Sequence, residues 1–341
     1  MSIPIVRPSI KRKDMDSVLS CMVSDTIGPD RISKQLIDSV GAYLGRKQGL
    51  ALRERVRAVS TALRGLGLTA GSRVVGSVLL PALYGDALEA AGVEFLPADV
   101  GAGVPVLTPE TVSAAAPEGA EALIVDTTLG YCPDLEGLSE LGIPMIEDVS
   151  EGLGAHTGDK LAGTFGRFTV VGLEPEHVIT AGGGALVLAG GRKEHTALRE
   201  VSAGLSREVL LPDVNSALGL TQTKELERFL ERRREVAGHF SRSLASGRHS
   251  VPVQPGDGEN VFVTFPVLLE TGLNEVVAYA RKHDVEVVSA FEQSLLATRT
   301  DLSGAAPSAR GWHLRCARFP LYPLLKNSET ERIGRVLSTL P

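Results

Sequence analysis

The sequence predicts an α/β fold: a mostly parallel sheet sandwiched by helices, followed by a smaller C-terminal α+β domain. Three observations carry this. The chain has 341 residues, more than one hydrophobic core usually serves. Between about residues 48 and 190, helical and strand periods alternate, the pattern of a parallel sheet covered on both faces. Beyond about residue 250 the alternating units become shorter.

The elements follow in order. Residues 52–65 set Val56, Val59, Ala62 and Leu63 on one helical face. Gly65, Gly67 and Gly71 supply the stop and turn signals. Residues 73–80 (RVVGSVLL) form a short buried strand, and residues 82–91 a helix that stops at Gly92. Strands follow at 93–97, 122–126 (ALIVD) and 144–147 (PMIE), with a helix between the last two. Strands at 168–173 and 184–188 complete the set. Residues 215–246 read as one long helix, with Leu226, Leu230, Val236, Ala237, Phe240 and Leu244 recurring on its apolar side. Shorter units then lie at 260–269, 273–283, 285–289 and 329–340, so the large domain is expected over residues 1–235 and the small one over 236–341.

Composition excludes several classes. A net charge of −6 and a pI near 5.7 argue against a nucleic-acid binder, which presents a basic face. The run Arg232–Arg233–Arg234 sits within a charged amphipathic helix and reads as a solvated face. Three widely spaced cysteines and scattered histidines offer no metal-ligand spacing, and an odd cysteine count suits a reducing compartment. The N-terminal MSIPIVRPSIKRKD lacks an apolar core for a signal peptide, and no run of about 18 apolar residues spans a bilayer, so a cytoplasmic protein is expected. The richness in Ala, Gly, Arg, Leu and Val suits a GC-rich bacterial genome.

Five segments, taken in order, give the chain a relationship. IPIVRPSI opens it; ALRGLGLTAGSRVV covers 62–75; IPMIEDVSEGLGA covers 143–155; NSALGLTQTKELERFLERRREVA covers 215–237; RFPLYPLL covers 318–325. At this order and spacing the chain resembles the DegT/StrS family of pyridoxal-phosphate (PLP) sugar aminotransferases. The resemblance implies the aspartate-aminotransferase architecture, PLP-transferase fold type I, built as a dimer with sites at the subunit interface.

The family's Schiff-base lysine sits shortly before an "I-T-x-G-x-G" hairpin, and here that position aligns with His177. An imidazole cannot replace it, because only a primary amine condenses to the imine. The aspartate that pairs with the pyridine nitrogen corresponds to Asp148. The residue beneath the cofactor oxygen becomes Glu151. The phosphate cup's "S-G-T" becomes Glu54, Arg55 and Val56, and the serine of "F-S-F" becomes Gly172. The asparagine donated by the neighbouring subunit becomes Glu208, and the ring-stacking aromatic becomes Pro81. Three lost hydrogen bonds to a charged group amount to about 5–9 kcal/mol, roughly a thousand- to a million-fold in affinity. Arg53 and Arg55 could restore part of it, since guanidinium clamps phosphate bidentately.

No cofactor is therefore expected, with PLP or its amine form PMP as the alternative. His177, following Glu174 and Glu176 in a loop, is expected to have its pKa raised by carboxylates and to act as acid/base, with Asp148 and Glu151 beside it. Arg53, Arg55 and Glu208 would bind substrate. The glycines 182–184 lack a following Lys-Ser/Thr and read as a hairpin turn, not a phosphate loop. Three functions fit the resemblance. One is a biosynthetic enzyme for an amino sugar or other specialised metabolite, performing PLP-independent dehydration, cyclisation or proton transfer. The second is a PLP/PMP sugar 3-dehydratase with His177 as base. The third is a non-catalytic subunit. The partners expected are a small-molecule substrate and a second copy of the chain, or an active aminotransferase in a heterodimer; neither nucleic acid nor membrane is expected.

Overall fold

A computed structural model describes residues 2–302, 304 and 306–341. A seven-stranded sheet is built from β1 (Gly49–Leu52), β2 (Arg73–Ser77), β3 (Glu94–Ala98), β4 (Ala122–Asp126), β5 (Met145–Asp148), β8 (Phe168–Gly172) and β9 (Ala185–Ala189). Two short strands, β6 (His156–Thr157) and β7 (Lys160–Leu161), form a separate hairpin. The large sheet runs in the order β1-β9-β8-β5-β4-β2-β3. All neighbours pair in parallel except at β9, which runs against both β8 and β1. The expected mostly parallel sheet is observed.

Strand residues alternate between two cores, because successive side chains leave opposite faces of a sheet. Val74, Ile124, Ile146, Val170 and Val187 join one, with Ala58 and Ala62 of α3 (Arg55–Gly65) and Tyr84 and Leu88 of α4 (Leu83–Ala91). Val75, Leu123, Met145, Val171 and Leu186 join the other, with Leu36 and Val40 of α2 (Arg31–Tyr43). The remaining helices of this half are α1 (Arg12–Val23), α5 (Pro109–Ala115), α6 (Leu135–Glu140) and α7 (Arg192–Ala203).

The helix expected over 215–246 is two helices, α8 (Asp213–Lys224) and α9 (Leu226–Leu244). The break falls at Glu225, whose backbone leaves the helical range at φ −100°, ψ 0°. Its carboxylate reaches Lys11 at 2.7 Å and Arg228 at 3.4 Å, tying the joint to the N-terminal segment. Apolar periodicity runs unbroken across such a joint, so the sequence does not reveal it.

From Val236 on α9, apolar residues feed a third core with β10 (Phe265–Leu268), α10 (Leu273–Lys282), β12 (Cys316–Phe319) and α13 (Asn327–Ser338), while β11 (Val288–Ser289) pairs with β12 at its edge. Ile3 enters this core from the other end of the chain. Conversely α11 (Leu295–Thr298) and α12 (Pro307–Arg315) send Leu295, Ala309 and Trp312 into the core of the large sheet. The strand expected over 260–269 is therefore short, and the two halves interlock. No helix among the described residues is long and apolar enough to cross a membrane.

Candidate active site

The carboxyl ends of β4, β5 and β8 open into a cavity of about 850 Å³. Sites in parallel α/β sheets form there because the following loops diverge from the strand ends. Three strand ends meet here: Asp126 ends β4 and lines the cavity, while Asp148, ending β5, and Gly172, ending β8, are buried beneath it. Asp126 and Asp148 stand side by side in register. The residues entering helix α3, Arg53 to Val56, form one wall, and Val288, Phe291 and Arg318 of the C-terminal half form the opposite one.

Asp148 is buried and its oxygens are taken by protein donors. Oδ2 accepts the Tyr84 hydroxyl at 2.6 Å. Oδ1 accepts the Ser150 amide at 2.8 Å, and the Ser150 hydroxyl as well. Arg55 Nη1 lies 3.8 Å from Oδ2. The same guanidinium nitrogen lies 3.3 Å from His177 Nε2. Burial works to discharge Arg55, but Asp148, Tyr84, Glu151 and Glu176 outweigh it, and its pKa rises above the ordinary value.

His177 is buried, with 5% of its surface accessible. Its Nδ1 accepts the Glu174 amide at 3.0 Å, and its Nε2 faces Arg55 Nη1 at 3.3 Å. Burial first, and then the Arg55 charge, hold its pKa well below the usual imidazole value. The expected upward shift is thus reversed. Glu174 meets the ring through its backbone, and Arg55 stands between His177 and Asp148. The ring packs on Gly172: an ideal Cβ there would lie 2.6 Å from His177 Nδ1 and 2.7 Å from Ser150 Oγ. A side chain at 172 and the imidazole at 177 compete for the same space.

The other expected residues divide. Glu151 lines the cavity, half-buried, its Oε2 accepting the Leu129 amide at 2.6 Å, and burial raises its pKa. Arg53 is exposed at the rim. Glu208 lies exposed on a short 3-10 turn (Arg207–Val209), outside this chain's cavity. Gly182, Gly183 and Gly184 have φ of 75°, 130° and 93°, and turn the chain back so that Gly183 N donates to Leu173 O at 3.0 Å. They bend the chain back on itself, as a turn does. Among the described residues no group of three His, Cys, Asp or Glu is placed to hold a metal.

Sequence reasoning missed Asp126, Tyr84 and Arg318. Asp126 had a legible signal, an acid ending a parallel strand. Tyr84 appeared only as part of a helical face, and Arg318 only within a motif. Among the described residues, Arg55 Nε and Arg318 Nε are buried without a hydrogen-bond partner, and both side chains line the cavity.

PLP would need Asp148 for its ring nitrogen and a phosphate cup at the entry to α3. Both Asp148 oxygens already accept hydrogen bonds, with Arg55 and His177 packed beside them. The cup positions carry Glu54, Arg55 and Val56, and carboxyls of Glu151, Glu174 and Glu176 share the cavity. These residues do not fit the dianionic group.

Comparison with known proteins places the chain. L-glutamine:2-deoxy-scyllo-inosose aminotransferase of Micromonospora echinospora is 27% identical over 277 residues, covering 72% of this chain and 62% of that protein. The chain thus matches less than two thirds of that relative's length. Spr1654 from Streptococcus pneumoniae, solved in PLP and PMP forms, superposes with a TM-score of 0.91 at 16% identity, covering 99% of this chain. The share of Spr1654 covered is 98% for the PLP form and 97% for the PMP form. A GDP-4-keto-6-deoxymannose-3-dehydratase, ColD, solved with bound GDP-perosamine, superposes with a TM-score of 0.87 at 16% identity, covering 98% of this chain and 99% of that one. The family model for DegT/DnrJ/EryC1/StrS aminotransferases matches residues 8–338. With nearly its whole length matched and the fold shared, the chain belongs to the DegT/DnrJ/EryC1/StrS aminotransferase family.

Proposed function

We propose that this chain is a cytoplasmic biosynthetic enzyme, acting on a sugar or cyclitol ketone, that performs acid/base chemistry without PLP in the family's cofactor pocket. The observation that carries the reading is the filling of that pocket by the chain's own side chains. Tyr84 and Ser150 take the Asp148 oxygens, and Arg55 and His177 pack beside them. The dehydratase alternative, with PLP or PMP and His177 as base, meets the same obstruction, and the Nδ1 of its base already accepts the Glu174 amide.

A carbonyl acidifies its neighbouring C–H bond unaided, so a ketone needs only a base at that carbon and a donor at its oxygen. Proton return elsewhere gives a tautomer; loss of a β-hydroxyl with a proton gives an unsaturated ketone and water. The carboxyls of the cavity floor move the protons, with Glu151 among them. Arg55 and Arg318 donate to the oxygen that gains charge. His177 packs against Arg55. Keto compounds enter through the names of the relatives, a 2-deoxy-scyllo-inosose aminotransferase and a 4-keto-6-deoxymannose dehydratase.

The enzyme acts as a homodimer in this reading. Of the eight large apolar residues that are exposed among the described residues, six (Ile10, Met15, Leu19, Met22, Val23 and Ile27) lie on or beside α1. Met15, Leu19 and Met22 follow helical spacing and form one unpartnered stripe. An aminotransferase subunit of the same family is the alternative occupant of that stripe, and would make this chain the silent half of a heterodimer.

The test is deuterium uptake. Purified protein, with no PLP added, is incubated in deuterated buffer with keto-cyclitols and nucleotide-linked 4-keto-6-deoxy sugars, and the products are read by mass spectrometry. The expected result is catalysed exchange next to the carbonyl or loss of water. Exchange that appears only when PLP is supplied would overturn the reading.

A further inference from the structure

Asp126 ends β4 on the cavity floor, and nothing in the family correspondence gives it a role. Its Oδ2 accepts the Thr128 hydroxyl at 2.5 Å, from the turn that follows the strand. Every other group facing it on the floor is either acidic or already engaged. Asp148 stands beside it in register, its oxygens filled by Tyr84 and Ser150. Glu151 presses from the turn after β5, one oxygen bound by the Leu129 amide. Tyr84, approaching from α4, has its hydroxyl turned to Asp148. Arg55 pairs with Asp148 and faces His177, Arg53 and Arg318 line the cavity walls, and among the described residues no ion pair includes Asp126. A half-buried carboxyl beside two others, with one hydroxyl as donor and no paired cation, is held in its protonated form. Burial, and then Asp148 and Glu151, push its pKa up to about 7.

We propose that Asp126 is the catalytic proton donor and acceptor of this cavity, acting on a ligand oxygen seated over the ends of β4 and β5. The assignment rests on the cofactor-free reading above and replaces His177 as the titrating group. In the forward step the carboxyl O–H bond breaks and an O–H bond forms at the ligand oxygen. Asp126 is left as carboxylate, steadied by the Thr128 hydroxyl, and regains its proton from solvent or from the ligand's acidic C–H. Proximity to neutral pKa lets one group serve both directions. In contrast, an imidazole far below its usual pKa and facing a guanidinium gives up or takes a proton poorly near neutrality.

Two measurements test this. The first needs no substrate. A small diazoacetamide esterifies only protonated carboxyls: the carboxyl proton passes to the diazo carbon, and the carboxylate oxygen then displaces dinitrogen. Mapping by peptide mass spectrometry should find Asp126 esterified at neutral pH, with the yield falling as pH rises through about 7. An unmodified Asp126, with esters confined to other carboxyls, would overturn the assignment. The second compares Asp126→Asn and Asp126→Glu with the parent protein in the deuterium-uptake assay. Asp126→Asn should lose about a hundred- to ten-thousand-fold in rate, and Asp126→Glu should retain part of it. Thermal unfolding of each variant reports whether it is folded. Exchange by the parent that survives intact in Asp126→Asn would sink the Asp126 assignment and leave the cofactor-free reading standing. An esterified, titrating Asp126 in a parent protein without cofactor-free exchange would sink that reading instead.

Discussion

Replacing Gly172 by alanine probes whether the imidazole of His177 holds the space a side chain at 172 would need. Gly172 has ordinary backbone geometry, so alanine meets no φ penalty there. By itself a Gly→Ala change at such a site stabilises by about 0.4–1 kcal/mol through the unfolded chain. The new methyl would lie 2.6 Å from His177 Nδ1 and 2.7 Å from Ser150 Oγ, against about 3.5–4.0 Å for comfortable contact. Overpacking of this kind costs about 1–3 kcal/mol, so the net expectation is a loss of about 1–2 kcal/mol. His177→Ala alone should cost about 1–3 kcal/mol, for a buried ring and its bond from the Glu174 amide. In the double variant the methyl moves into the space the ring vacates. Its loss should be smaller than the sum of the singles by about 1–2 kcal/mol, measured by urea unfolding as a double-mutant cycle. Additivity within about 0.5 kcal/mol would refute the competition between these two positions.

Tyr84→Phe removes the hydroxyl on Asp148 and should destabilise the protein by about 1–3 kcal/mol in the same urea assay; an unchanged midpoint would mean the bond does not form. Asp126 gives a pH dependence of known sign. The unfolded chain releases this proton near the ordinary value of 3.8, while the folded protein keeps it to about 7. Stability should therefore fall as pH rises across that window and level off above it. Asp126→Asn should remove about 1–3 kcal/mol of that decline, after discounting for partial exposure, and a decline that persists in the variant would contradict the assignment. Leu19→Lys, which places a charge in the exposed stripe of α1, should convert dimer to monomer in sedimentation, and an unaltered dimer would move the interface elsewhere.

The sheet was legible because both of its signals are local. Val74 and Val75, or Val170 and Val171, are adjacent apolar residues serving opposite cores, and a run of such residues between turn signals declares a strand buried on both faces. The joint at Glu225 was not legible, since it depends on a salt bridge to Lys11, distant in sequence. The site followed the same division. The replacements read from the resemblance, His177 for a lysine and Gly172 for a serine, are legible one position at a time. Their coupling is not, because it arises from the imidazole folding back over the end of β8. The pKa of His177 was misjudged from its sequence neighbours Glu174 and Glu176. Its spatial neighbour is Arg55, more than a hundred residues earlier, and burial adds to that effect. Tyr84, on helix α4, carried no sequence mark of its role, since the partner of its hydroxyl, Asp148, ends strand β5 and becomes adjacent only when the helix packs on the sheet.

The central claim is that the side chains around Asp148 leave no seat for the family's cofactor. Equilibrium dialysis of the purified protein against PLP, and separately PMP, followed by absorbance and by borohydride trapping with mass spectrometry, tests it most directly. The account predicts no saturable binding tighter than about 1 mM and no pyridoxyl adduct on any lysine of the chain. Saturable binding near 1 μM, roughly 4 kcal/mol tighter, would contradict it.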